Sequence, residues 1–123
     1  MARRNIEVQE FRWIGADNLK VEVVERKGLG HPDFIADSIA EAVSRELSYY
    51  YMKTYGAILH HNVDKVLVVG GQANPRFGGG EVLQPIYIVV SGRATSFVTT
   101  SSGVEKVPIG PLVLKASKEW IKK

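Results

Sequence analysis

In the run Gly28-Leu29-Gly30-His31-Pro32-Asp33-Phe34-Ile35-Ala36-Asp37, an imidazole and two carboxylates follow a glycine-marked turn. Pro32 suits the first position of a helix, where its missing N–H costs little, and the free N–H groups of a first helical turn can receive phosphate oxygens. His31 would add a hydrogen bond or charge to the same anion. Asp33 and Asp37 are four residues apart, so both project from one helix face, close to the end that favours negative charge. Magnesium keeps several waters and commonly uses one or two protein carboxylates together with substrate phosphates, which makes Asp33 beside a polyphosphate chemically sensible. Asp37 either joins that chemistry or holds neighbouring backbone or basic groups in place. Aspartates in a first helical turn also commonly just complement the helix dipole, so both readings stand on residue type alone.

Other polar groups carry weaker signals. Arg93, after Ser91-Gly92 at a strand end, can reach phosphate with its planar fork or simply form a surface salt bridge. His60 and His61 adjoin a strand, so their side chains point to opposite faces and do not easily grip one metal ion together. Phe77-Gly78-Gly79-Gly80 lacks the Gly-Lys-Ser/Thr of a P-loop and reads as a mobile loop. Tyr49, Tyr50 and Tyr51 occupy successive helical positions that face different ways, which favours packing over a base-stacking platform.

The elements that must hold these groups follow from periodicity. β-Branched residues at 21–24 predict a strand that runs through Glu25, Arg26 and Lys27 into the turn at Gly28 and Gly30. From Pro32, Ile35, Ile39, Val43, Leu47 and Tyr50 recur at helical spacing, and Gly56 closes the pattern. The apolar run 66–69 predicts a short buried strand, and the segment with Asn74, Pro75, Gly78, Gly79 and Gly80 predicts a loop. Residues 82–90 read as one extended run, with Pro85 pushing the strand's start toward Ile86. Residues 96–100 and 104–107 predict shorter strands around Ser101-Ser102-Gly103. After Pro111, the spacing of Leu112, Val113, Ala116, Trp120 and Ile121 predicts a short amphipathic helix with lysines outward. The expected fold is α+β, with helices packed on one face of a mainly antiparallel or mixed sheet. Residues 1–20 read as an N-terminal arm anchored by Phe11, Trp13 and Ile14, and residues 21–123 as the domain.

Composition narrows the chemistry. The chain has 123 residues, 45% of them hydrophobic and 24% charged, which suits one folded domain and argues against disorder. The net charge of +3 has much of its excess at the two ends, in Arg3, Arg4, Lys115, Lys118, Lys122 and Lys123. Aromatic and basic residues do not interleave as in a single-strand binder, so nucleic acid is not an expected partner. Cysteine is absent, which restricts any metal site to oxygen or imidazole. No run approaches the roughly 20 apolar residues of a membrane span, so a cytoplasmic protein is expected.

Read together, Gly30-His31-Pro32-Asp33 and Ile35-Ala36-Asp37 resemble the signature near the start of S-adenosylmethionine synthetases. Glu25-Arg26-Lys27-Gly28, His60-His61-Asn62, Asp64-Lys65-Val66-Leu67-Val68-Val69-Gly70-Gly71-Gln72 and Ser91-Gly92-Arg93-Ala94-Thr95 extend the resemblance to the archaeal branch. It implies ATP and methionine as substrates, with S-adenosylmethionine, phosphate and pyrophosphate as products. It also implies magnesium, with potassium as the candidate monovalent ion. His31 would contact the triphosphate as the catalytic group and Asp33 would bind the metal, while Asp37 and Arg93 are candidates for the nucleotide site from their own positions. Gln72 stands where the family contacts methionine, and would hydrogen-bond the amino acid without supplying charge.

Two positions depart from the bacterial and eukaryotic pattern: Phe34 stands where those enzymes have lysine, and Gln72 where they have glutamate. The family has three similarly built domains and active sites between paired subunits. The chain is therefore expected to be one domain of a larger homodimer or higher oligomer, inactive alone. A standalone ATP-binding regulatory module and a structural dimerisation domain are the alternatives.

Overall fold

The computed structural model describes residues 6–122, so Arg3, Arg4 and the other residues of the arm's first five positions, with Lys123, lie outside the described residues. The longest element is α1 (Pro32–Tyr55), 24 residues with Pro32 in its first turn and Gly56 as its left-handed cap at φ 75°. That φ suits glycine because no Cβ opposes it. The helix buries Ile39, Ala42, Val43, Leu47 and Tyr51, while Tyr50 is half-buried and Tyr49 exposed. The stripe thus closes on Tyr51, four residues after Leu47, where the sequence reading had placed Tyr50. The Tyr51 hydroxyl donates to the Thr95 carbonyl at 2.8 Å.

Among the described residues the strands form three two-stranded antiparallel ladders in place of one continuous sheet. β1 (His61–Val69) pairs with β4 (Tyr87–Ala94), and α1 packs on β1. β1 begins five residues before the predicted run at 66–69, and the cause is a bulge. Asn62 pairs with Arg93 and Lys65 with Ser91, so Val63 and Asp64 together face Gly92. The extra residue resets the alternation: His61 and Val63 are half-buried up to the bulge, and Val66 and Val68 beyond it. Gly92 is required by close approach, since a Cβ there would lie 2.1 Å from the Asn62 carbonyl oxygen.

Residues 72–84, read as loop and early strand, form instead a hairpin of β2 (Gln72–Arg76) and β3 (Gly79–Gln84), with Phe77 and Gly78 in its turn. The glycines that suggested a mobile loop serve the tight turn and its flanks. Pro85, which has no N–H to donate to a ladder, separates β3 from β4, so the run 82–90 is two strands. β5 (Phe97–Thr100) and β6 (Gly103–Lys106) pair across the predicted Ser101-Ser102 turn. α2 (Ile109–Ile121) starts two residues before Pro111 and packs on α1, where Lys115 bridges Glu46 at 2.6 Å. Val107 and Ala116 complete the buried core around α1, with Val63, Val66, Ile88 and Val90 packed against it from β1 and β4.

The predicted strand at 21–24 is absent. Val21, Val23 and Val24 are exposed and carry no ladder partner among the described residues. β-Branched composition favours extended backbone, but a strand also needs a neighbour to receive its hydrogen bonds.

Candidate functional site at the start of α1

The turn before α1 closes where the His31 N–H donates to the Gly28 carbonyl at 3.0 Å. His31 is then the N-cap, with φ −67° and ψ 133°, and its Nδ1 accepts the Asp33 N–H at 3.1 Å. Histidine does here what serine or aspartate does at most N-caps. The bond has a chemical consequence. With Nδ1 accepting, the proton of a neutral imidazole resides on Nε2, the outer nitrogen of an exposed side chain. One expectation is revised: the first turn offers fewer free donors than its position suggested. Pro32 has no N–H, the Asp33 N–H is taken by His31, and the Ile35 N–H by the His31 carbonyl. His31 replaces a backbone donor with its own Nε2–H.

Asp33 projects from the same turn, 61% exposed at its side chain, and the Lys27 ammonium donates to its Oδ2. That hydrogen bond and the Lys27 charge hold the carboxyl below the ordinary carboxylate range, and His31 adds to the effect. Lys27 is the site residue that residue-by-residue reasoning missed. Its signal was present, a basic residue just ahead of a glycine turn that folds back onto an aspartate.

Phe34 faces the other way, against Trp120 of α2 with ring centroids 6.1 Å apart. The departure from lysine thus has a structural role, tying the start of α1 to the end of α2 beside the polar group.

Asp37 lies a turn further along, exposed, in a groove of about 370 Å3 with Glu41, Ser44, His61, Asn62 and Asp64. His61 is a packed histidine. Its Nδ1–H donates to the Leu59 carbonyl at 2.9 Å, the Ser44 and Ser48 hydroxyls approach Nε2 at 3.0 and 3.3 Å, and its ring leans on Tyr51. His60 is exposed on the neighbouring position. Arg93 sits on β4 opposite Asn62 and lines a pocket of about 310 Å3 with Val43, Leu47, Val90 and Ile109. Gln72 is exposed at the start of β2, opposite Gln84. The structure brings His31, Asp33 and Lys27 together. No hydrogen bond or ion pair joins Asp37, Gln72 or Arg93 to them among the described residues.

For magnesium, the described residues contain no group of three histidine, aspartate or glutamate side chains arranged to hold an ion. A single exposed, ionised carboxylate at a helix start nonetheless fits an ion that arrives with phosphates and water as its other ligands.

The described residues form an α+β domain whose longest helix begins with an exposed histidine N-cap beside a lysine-paired carboxylate. The chain belongs to the S-adenosylmethionine synthetase (AdoMet synthetase) family, whose model matches residues 4–123. It is 65% identical over 119 residues to the S-adenosylmethionine synthase of Sulfurisphaera tokodaii. The corresponding values are 60% for that of Sulfolobus acidocaldarius and 62% for that of Saccharolobus islandicus. Each match takes in 97% of this chain, and the chain spans only 29% or 30% of the length of these curated relatives. The resemblance to the archaeal branch holds over nearly the whole chain.

Proposed function

We propose that this chain supplies part of the ATP and magnesium site of an enzyme that makes S-adenosylmethionine. In the reaction methionine sulfur attacks the ribose 5′ carbon of ATP, forming the S–C bond as the C–O bond to the triphosphate breaks. Water then cleaves the triphosphate to phosphate and pyrophosphate. No protein nucleophile is needed, so the protein's task is alignment and stabilisation of the departing anion.

The observation that carries the proposal is the pinning of His31. Its Nδ1 accepts the Asp33 N–H, which restrains the ring and leaves Nε2–H as the donor that would meet a phosphate at the helix start. A donor fixed before the reaction costs no reorganisation when charge gathers on the leaving oxygen. Asp33 would hold magnesium together with phosphate oxygens. When bound there, the ion neutralises phosphate charge. Asp37 and Arg93 would contact the nucleotide, and Gln72 the methionine amino acid. The proposal includes two further domains, a homodimer or higher oligomer, potassium as the monovalent ion and a cytoplasmic location, all of which rest on family membership. No helix of the described residues is long and apolar enough to cross a membrane.

Asp33→Asn in the full-length enzyme keeps the side chain's shape and removes its charge. The magnesium concentration for half-maximal product formation is expected to rise about tenfold, as for loss of a metal-site group elsewhere. A magnesium titration of product formation checks this, and an unchanged midpoint removes Asp33 from the metal site.

A further inference from the structure

We propose that Lys27 is a triphosphate-binding residue, held ready by Asp33 before the substrate arrives. The inference deepens the reading of the α1 start given above and rests on it.

A carboxylate at an anion site poses an electrostatic problem. Asp33 alone would repel the phosphates that His31 and the helix end attract, since like charges a few ångströms apart disfavour one another even in a solvated site. The Lys27 ammonium on Asp33 Oδ2 removes that repulsion. It does so without being used up. An ammonium has three N–H donors, and the Asp33 carboxylate engages it through one oxygen. The Lys27 side chain is 55% exposed, and its hydrogen bond to Asp33 is its only polar contact among the described residues. Remaining donors on a flexible stem can therefore take a phosphate oxygen while the Asp33 contact persists or passes to a metal ion.

The position is set by the fold. Lys27 precedes the turn that the His31 N–H closes on Gly28, and this turn brings the ammonium back onto the residue two after His31. Histidine donor and lysine cation thus flank one carboxylate. A lysine serving only to neutralise Asp33 would act through Asp33. One that contacts phosphate acts without it.

That difference defines the test. Inorganic tripolyphosphate is titrated into the full-length enzyme by calorimetry, with magnesium and with chelator. Lys27→Met is expected to weaken binding about tenfold in both conditions, the worth of one charge-assisted hydrogen bond, and Lys27→Arg to stay within about threefold of wild type. In an Asp33→Ala background, Lys27→Met is expected to weaken binding again. Thermal unfolding is followed in parallel, and the exposed position predicts little change. Tripolyphosphate affinity unaltered by Lys27→Met, while His31→Ala reduces it, overturns the role of Lys27 alone. Loss of the Lys27 effect in the Asp33→Ala background also overturns it, leaving a positioning residue. Affinity unaltered by both Lys27→Met and His31→Ala overturns the helix-start site itself.

Discussion

His31→Ala in the full-length enzyme is expected to slow adenosyl transfer by about 10²–10³ in a single turnover, the loss recorded when one preorganised donor is removed from a developing oxyanion. The effect on ATP binding should be smaller. In bound ATP the bridging oxygen carries little extra charge, whereas in the transition state the breaking C–O bond transfers charge onto the triphosphate. A donor aimed there stabilises the second more than the first, so kcat falls more than KM rises. Alanine also removes the N-cap acceptor of the Asp33 N–H, which costs about 1 kcal/mol of stability. Asparagine at 31 separates the two effects, because its side-chain oxygen can cap the helix without placing a donor where Nε2 stood. A folded His31→Asn enzyme should retain the stability and lose the rate. Wild-type single-turnover transfer by folded His31→Ala would exclude His31 from triphosphate stabilisation.

Gly92→Ala is expected to destabilise the protein by about 3 kcal/mol, in the upper range for forced overpacking. The added Cβ meets Asn62 carbonyl oxygen at 2.1 Å and the Asp64 nitrogen at 3.1 Å, both backbone atoms that cannot swing aside. Relief requires opening the β1–β4 ladder at its bulge. That bulge turns His61 and Val63 toward α1, so the cost should spread to the helix the site depends on. Gly28→Ala is the control, because a Cβ there meets nothing within 4 Å. Urea unfolding of the two variants gives the comparison, and equal midpoints would mean that β1 and β4 do not close on Gly92 as described.

The helices were legible because their signals are local. Pro32, Asp33 and the Ile39, Val43, Leu47 spacing define α1 without reference to anything distant, and Gly56 ends it. The strands were less legible because their boundaries depend on partners. The start of β1 was hidden by a bulge whose cause, Gly92, lies on another strand. β2 and the start of β3 were read as a loop because Asn74, Pro75, Gly79 and Gly80 are turn residues by type, and only pairing reveals that they are in strands. At 21–24 the error ran in the opposite direction, since β-branched residues suggested a strand that has no neighbour among the described residues.

The candidate site divides in the same way. His31 and Asp33 announce themselves through Gly-His-Pro-Asp at a helix start, and the structure joins them by one hydrogen bond. Lys27 was hidden because its ion pair crosses the turn, and neither helical nor strand spacing relates residues on opposite sides of such a turn. Phe34 was noted as a departure, but its purpose depends on Trp120 of α2, far along the chain.

If the helix-start site serves methionine-dependent cleavage of ATP at the ribose 5′ carbon, as proposed, the products must balance. The most direct measurement is a product balance in the full-length protein with ATP, methionine and magnesium. S-adenosylmethionine, phosphate and pyrophosphate are expected in equal amounts, with none formed when methionine is omitted. ATP bound but not consumed, or hydrolysed at the same rate without methionine, would contradict the proposal.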